Sequence, residues 1–279
     1  MSFSVLVWNV QKFRGESQAR IDDVVDHIRA ADPDIFGIIE LEKPAKAVAR
    51  QLIVEEFTDY DFAITDSKRQ IDFLIGWKIN TFEQILFTQR RDFQEGNINL
   101  RPGGLLSVRL QGEQAFHNVL FLHTDSGKLL EEYKRRQAMF KKIWSLRVAL
   151  EGLPVQQGVA RLVALGDLNT MGRSRTNILP TLKATEEIDK LRADALANGM
   201  RVLSKSSSLT YRSAGGSLKG NLDHVLVSSD LDVELWTDPA QEFSPFEVEV
   251  TGWNLLGEPE RTSFIEDVSD HCALFVEIQ

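Results

Sequence analysis

The fold is decided between residues 59 and 123, where DFAIT (61–65), IDFLIGW (71–77), LLSVRL (105–110) and AFHNVLFLH (115–123) follow one another. Each run is short, apolar and rich in β-branched or aromatic residues, which is the pattern of a buried strand. Strands that arrive consecutively point to mixed sheets rather than one purely parallel sheet. Working outward, Phe3–Val10, Asp34–Glu40, Arg161–Leu165, Leu222–Val227 and Cys272–Ile278 read as further strands. Helical periodicity separates some of them. Arg20–Ala31 places Ile21, Val24, Val25 and Ile28 on one face, and Ala45–Phe57 is similar. Leu129–Leu150 is the longest such segment, and Ala184–Met200 ends at Asn198-Gly199, a normal helix stop. The class is α/β. No repeat, low-complexity tract or long Pro/Gly/Ser linker divides the chain, so one domain over residues 1–279 is expected.

Composition narrows the function. With 43% hydrophobic and 26% charged residues the chain has the balance of a globular protein, not a disordered one. No apolar run approaches the roughly 20 residues of a membrane span, and the first residues lack the pattern of a signal peptide. The single cysteine, Cys272, cannot form an internal disulfide and excludes a cysteine-built zinc site. A cytoplasmic protein without an obligate protein partner is expected. The net charge of −9 argues against a surface that holds long nucleic acid nonspecifically, yet leaves room for a basic rim around an acidic centre.

Polar residues stand at strand ends, where loops can present them to a cleft. Asn9 ends the first strand, Glu40 the second, and His123 ends 115–123. Gly166-Asp167-Leu168-Asn169 follows another strand, Asp223-His224 sits in Leu222–Val227, and Ser269-Asp270-His271 precedes the last strand. A hard cation such as Mg²⁺ takes oxygen ligands, with one or two carboxylates the usual protein share. Asn9, Glu40 and Asp270 could supply them, with Glu42 a rival. An imidazole whose tautomer is fixed by a carboxylate can move a proton of water, and His271 with Asp223 could be that pair. Taken singly, each residue has an ordinary structural reading, and Asp167-Leu168-Asn169 could be an Asx-type turn. His27, His117 and His224 are read as structural. Ser126 lacks a nucleophile-elbow motif, which argues against a serine hydrolase.

Six segments nevertheless resemble the endonuclease/exonuclease/phosphatase family in the family's order and over nearly the whole chain. They are Val7-Trp8-Asn9-Val10-Gln11, Asp34-Ile35-Phe36-Gly37-Ile38-Ile39-Glu40, Leu122-His123-Thr124-Asp125-Ser126-Gly127, Gly166-Asp167-Leu168-Asn169, Leu222-Asp223-His224-Val225 and Ser269-Asp270-His271. The resemblance implies a four-layer α/β sandwich, with two mixed β-sheets face to face and helices outside. It also implies Mg²⁺- or Mn²⁺-dependent hydrolysis of a phosphate ester by water, most often a nuclease-like phosphodiester reaction. Asn9, Glu40 and Asp270 would form the metal environment. Asp167 and Asn169 would orient water and phosphate, His123 would contact phosphate oxygens, and His271 would act with Asp223. Whether Asp167 or His271 takes the proton stays open. Ile39 departs from the family's usual Gln. Asp66 is the candidate acid beside the first histidine, and Lys134-Arg135-Arg136-Gln137 resembles a supporting Arg-x-x-Gln region. Arg173, Arg175, Lys68, Arg69 and Lys219 are candidates for a basic rim, and Trp253 for stacking on a nucleic-acid base. The alternatives are a phosphomonoesterase acting on a small or lipid-derived phosphate, and a catalytically silent binding domain.

Overall fold

Alternation along β1 (Phe3–Phe13) builds two layers at once. Val5 and Val7 join one apolar cluster, while Leu6, Trp8 and Val10 join another on the opposite face. The second cluster is closed by α1 (Gln18–Ala31), which contributes the four aliphatic residues its periodicity predicts. Burying each is worth about 1.5–3 kcal/mol relative to exposure. Ser17 caps its start by accepting from the Arg20 N–H, and Asp32, left-handed at φ 44, ends it. The computed structural model describes residues 2–13, 17–42, 55–67, 71–94, 97 and 100–279.

The remaining elements are β2 (Ile35–Glu42), β3 (Tyr60–Ile64), β4 (Ile71–Lys78), β5 (Phe82–Arg90), β6 (Gly103–Leu110), β7 (His117–His123), α2 (Leu130–Glu151) and β8 (Leu162–Asp167). After these come α3 (Ala184–Ala197), β9 (Met200–Val202), β10 (Tyr211–Arg212), β11 (Lys219–Gly220), β12 (Asp223–Ser228), β13 (Glu249–Thr251), α4 (Glu260–Asp267) and β14 (Ala273–Ile278). One six-stranded sheet runs β13-β14-β1-β2-β4-β3 and the other β5-β6-β7-β8-β12-β9. Each has one parallel pair at its centre, β1 with β2 and β7 with β8, and antiparallel neighbours outside it. The sheets are mixed, as the consecutive strands of 59–123 predict.

Between the sheets, Val5, Val7 and Ile39 pack with Phe121, Val163, Leu165 and Val225. The outward residues of the second sheet, among them Leu120, Leu122, Leu162 and Ala164, pack on Phe140 and Ile143 of α2 and Leu191 of α3. Helix, sheet, sheet and helix form the four layers. No described helix is long and apolar enough to cross a membrane.

The structure departs from the sequence reading in places. The helix expected over Ala184–Met200 stops at Ala197, because Gly199 turns at φ +68 and Met200 starts β9 against β12. β5, β9, β10, β11, β13 and α4 are additional. β5 is an edge strand in which Phe82, Ile85 and Phe87 pack on the inter-sheet core, but four of its nine side chains are exposed and polar residues interrupt the apolar run. The helix expected over Ala45–Phe57 lies, apart from its last three residues, outside the described residues.

His27 is structural, as expected. Its ring lies 4.6 Å from that of Trp8 and 6.2 Å from that of Phe264, and its Nε2 is 3.0 Å from Thr251 Oγ1. Burial lowers its pKa from 6.5 to about 4. The folded state therefore favours neutral His27, and the stabilisation is whole above about pH 6.5 and fades as pH falls towards 4. The loss is on the order of 3 kcal/mol. We expect His27→Phe, which keeps the ring stack, to flatten the fall of the urea midpoint between pH 6.5 and 4. An unchanged slope would remove His27 as its source.

Candidate active site

The parallel pairs place their C-terminal ends at one edge of the sandwich, where β12 and β14 begin. Asn9, Glu40, His123 and Asp167 therefore arrive at the same edge as Asp223, Asp270 and His271. Register makes this specific: His123 and Asp223 are the partners of Asp167 on the two strands flanking β8. Gly166 allows that pairing. It sits at φ +138, and a Cβ there would stand 2.0 Å from the Leu122 carbonyl oxygen.

Irregular backbone aims the side chains. β1 loses register between Asn9 and Phe13, and β2 between Ile39 and Leu41. Glu40 lies in the second bulge at φ 67, a left-handed conformation that costs a residue other than glycine about 1–2 kcal/mol. Such bulges recur next to active sites. The first bulge turns the Lys12 N–H to Glu40 Oε2 at 2.9 Å. Asn169, at φ 48, donates its backbone N–H to Asp167 Oδ1 at 3.0 Å and its amide to the Thr124 carbonyl. The Asx turn foreseen at 167–169 is thus the device that holds the site's central carboxylate.

Asp167 is the hub. Its Oδ2 accepts from Asn9 Nδ2 at 3.0 Å and lies 3.5 Å from His123 Nε2 and 3.9 Å from His271 Nε2. Burial first, then the charges of Asp223 and Glu40, raise its pKa, while His271 opposes them. His271 Nδ1 is 2.9 Å from Asp223 Oδ2. Burial works to lower the His271 pKa, but the surrounding Asp223, Asp167 and Asp270 carboxylates raise it overall. His123 is the opposite case: burial holds it well below the ordinary histidine range, and its Nδ1 has no partner. His123 Nε2 also lies 3.6 Å from Glu40 Oε1, to which Asn9 Nδ2 donates.

The donor set suits a hard cation. Asp270 is buried, its Oδ1 has no hydrogen-bond partner among the described residues and lies 4.0 Å from His271 Nε2, and its Oδ2 accepts from Gln11 Nε2 at 2.9 Å. Burial and the negative charge of Glu40 push its carboxyl up to about 6. Two carboxylates that destabilise one another, one with a bare buried oxygen, leave an excess of negative charge that a divalent ion matches. Asp167, Asp223 and His271 also bring one ligand atom each to within 4.8 Å of one another.

Eight residues singled out in the sequence thus meet in one region. Several neighbours do not follow expectation. Trp253 is buried, with its indole N–H donated to the Asp270 carbonyl, so it supports the site and offers no ring to a base. Arg173 is only 8% exposed and lies over the Tyr133 ring, so it is no rim residue, whereas Arg175 and Lys219 are exposed. Lys68 and Arg69 lie outside the described residues. Asp66 is exposed and bridges Gln89 through its backbone, while Glu40 and Asp167 are the acids near His123. His224 is buried on Thr170, on the other side of its strand, as read. Arg136 is wholly buried against Glu187.

Gln11, Tyr211 and Trp8 were not assigned roles in advance. Trp8 donates to the His271 carbonyl, and the Tyr211 ring lies 5.0 Å from that of His271. Gln11 stands two residues from Asn9 within the matched motif, which could have marked it. Tyr211, in a two-residue strand, carries no signal in the sequence.

Comparisons with known proteins agree with this fold. The Endonuclease/Exonuclease/phosphatase family matches residues 6–271. A truncated Caenorhabditis elegans TDP2 structure is 17% identical, with a TM-score of 0.64 over 100% of this chain and 97% of that one. D. rerio TDP2, complexed with single-strand DNA product, is 14% identical at TM-score 0.63, covering 100% and 99%. The 3' phosphatase NExo from Neisseria, bound to a product DNA hairpin, is 16% identical at TM-score 0.61, covering 99% of each chain. No curated protein matches the sequence. A match spanning nearly the whole chain, on the two-sheet architecture with the motif residues gathered at one edge, establishes that this chain belongs to the endonuclease/exonuclease/phosphatase family.

Proposed function

We propose that the whole chain, acting as one domain, is a divalent-metal-dependent phosphoesterase that hydrolyses a phosphodiester, with nucleic acid as the substrate class. The observation that carries the reading is Asp167 at the centre of an Asn9, Glu40, His123 and His271 cluster, beside an Asp223–His271 hydrogen bond of 2.9 Å. The two TDP2 and NExo structures that hold DNA favour the substrate class. A silent binding domain gives no reason to gather so many like charges away from water.

In this reading Glu40 and Asp270, with Asn9 beside them, hold Mg²⁺ or Mn²⁺. When bound, the cation supplies neutralising charge at a phosphate oxygen. Asp167 and Asn169 orient the attacking water. Asp223 keeps the proton on His271 Nδ1, so Nε2 is the atom turned to the reaction, where it relieves negative charge on phosphorus oxygens. His123, held neutral by burial, contributes Nε2 to the phosphate. Cys272 is buried and free, which suits a cytoplasmic setting.

The test is hydrolysis of an activated phosphodiester with Mg²⁺ and with excess EDTA, followed by a panel of single-stranded DNA, RNA, 3'-phosphorylated DNA and inositol phosphates. Activity should vanish in EDTA and return with Mg²⁺, and DNA should lead the panel. Undiminished activity in EDTA would refute the metal-dependent reading, and preference for an inositol phosphate would replace the substrate class. Glu40→Gln should raise the Mg²⁺ concentration for half-maximal activity by about tenfold or more. An unchanged requirement would move the ligand elsewhere.

A further inference from the structure

On the side of β12 turned away from the Asp223 carboxylate lies a second cavity, of about 290 Å³. Its walls include Arg192 of α3, Leu203 and Lys205 from the segment after β9, and Asn221, His224 and Phe243. Of its serines, Ser204 donates its hydroxyl to Glu247 and Ser207 to the Leu209 carbonyl, and no carboxylate is among the described residues that line it. In a chain of net charge −9, a cavity with two cationic side chains and no acid in its wall is selective for negative charge.

Among the described residues the Lys205 ammonium donates to two neutral oxygens, the Asn221 side-chain carbonyl and the Asp223 backbone carbonyl. Burial pushes its amine down to about 7, although the nearby Asp223 charge works the other way. Arg192 is over half exposed and engages Asp189 through one nitrogen, at 3.2 Å. Beside these cations, Leu203 and Phe243 make an apolar wall. A lysine and an arginine suit the several acceptor oxygens of a phosphate.

We propose that this cavity binds a small phosphate-bearing molecule, separate from the reaction centre, with Lys205 and Arg192 holding the phosphate and Phe243 and Leu203 covering an apolar part. The cavity is at the small end of ligand sites, which suits a monoester of one ring or less. Nothing in the inference depends on hydrolysis.

The chain has five histidines, of which His224 lines the cavity while His123 and His271 lie in the reaction centre. Ring ¹H–¹³C spectra, assigned by single substitutions, therefore locate binding. Phenyl phosphate and inorganic phosphate are titrated separately into metal-free protein in EDTA, a condition in which no turnover is required. The expected result is a saturable shift of the His224 signal, weakened tenfold or more by Arg192→Ala and by Lys205→Gln. Phenyl phosphate should bind more tightly than inorganic phosphate, and equal binding would overturn the assignment of Phe243 and Leu203 to an apolar part of the ligand. Arg192→Ala changes an exposed side chain, so the test survives if Lys205→Gln does not fold. Shifts confined to His123 and His271, no shift at His224, or binding indifferent to Arg192→Ala would overturn the proposal.

Discussion

Asp167→Asn should lower the turnover of an activated phosphodiester by about 10²-fold or more while leaving the fold intact. Asn169 N–H, Asn9 Nδ2, His123 and His271 all converge on this carboxylate. The substitution keeps its size and much of its hydrogen bonding but removes its charge. Burial, together with Asp223 and Glu40, already disfavours that charge in the folded protein, so its removal relieves repulsion. The unfolding midpoint should stay near that of the parent protein as activity collapses. His271→Ala should produce a loss of the same order. Near-parental turnover in either variant would take that residue out of the chemistry.

Arg136→Met should destabilise the protein by about 3–5 kcal/mol, because it strands a buried carboxylate. Arg136 and Glu187 side chains are both 0% exposed, and the guanidinium donates to both Glu187 oxygens. It also donates to the carbonyls of Asp125, Gly127 and Gly172, while Glu187 accepts from the Gly172 N–H. One buried arginine thereby joins α2 and α3 to the loops that follow His123 and Asp167. The double variant Arg136→Met, Glu187→Leu should recover part of the stability, since no unpaired charge remains. Urea unfolding measures both. A single-variant loss below about 1 kcal/mol would mean that the pair is replaceable by its other hydrogen bonds.

Much of this arrangement was legible because it depends on local patterns. The apolar runs ending in Glu40, His123 and Asp167 mark central strands, and shared strand ends were enough to suggest one site. What stayed hidden depends on tertiary context. Glu187 is 51 residues from Arg136, and neither residue announces its partner. Trp253 looked like a stacking ring, since sequence does not separate an exposed indole from one whose N–H is needed inside. Arg173 looked like part of a rim because its loop is rich in basic and polar residues, yet the bridge of Arg173 to Leu182 turns it under Tyr133. β5 went unseen because Gln84, Thr88 and the outward Leu86 break up the apolar pattern that Phe82, Ile85 and Phe87 carry into the core.

In the proposed mechanism water strikes phosphorus directly, and no group of the protein becomes bonded to it. Asp167 and Asp270 bring carboxylate oxygens to 3.9 and 4.0 Å from His271 Nε2, and neither is the hydroxyl or thiol that a histidine-activated nucleophile would need. The stereochemical course tests this most directly, using a phosphodiester made chiral by one sulfur and hydrolysed in ¹⁸O-enriched water with Mg²⁺. A single displacement predicts inversion at phosphorus. Retention would reveal a covalent intermediate and contradict the account.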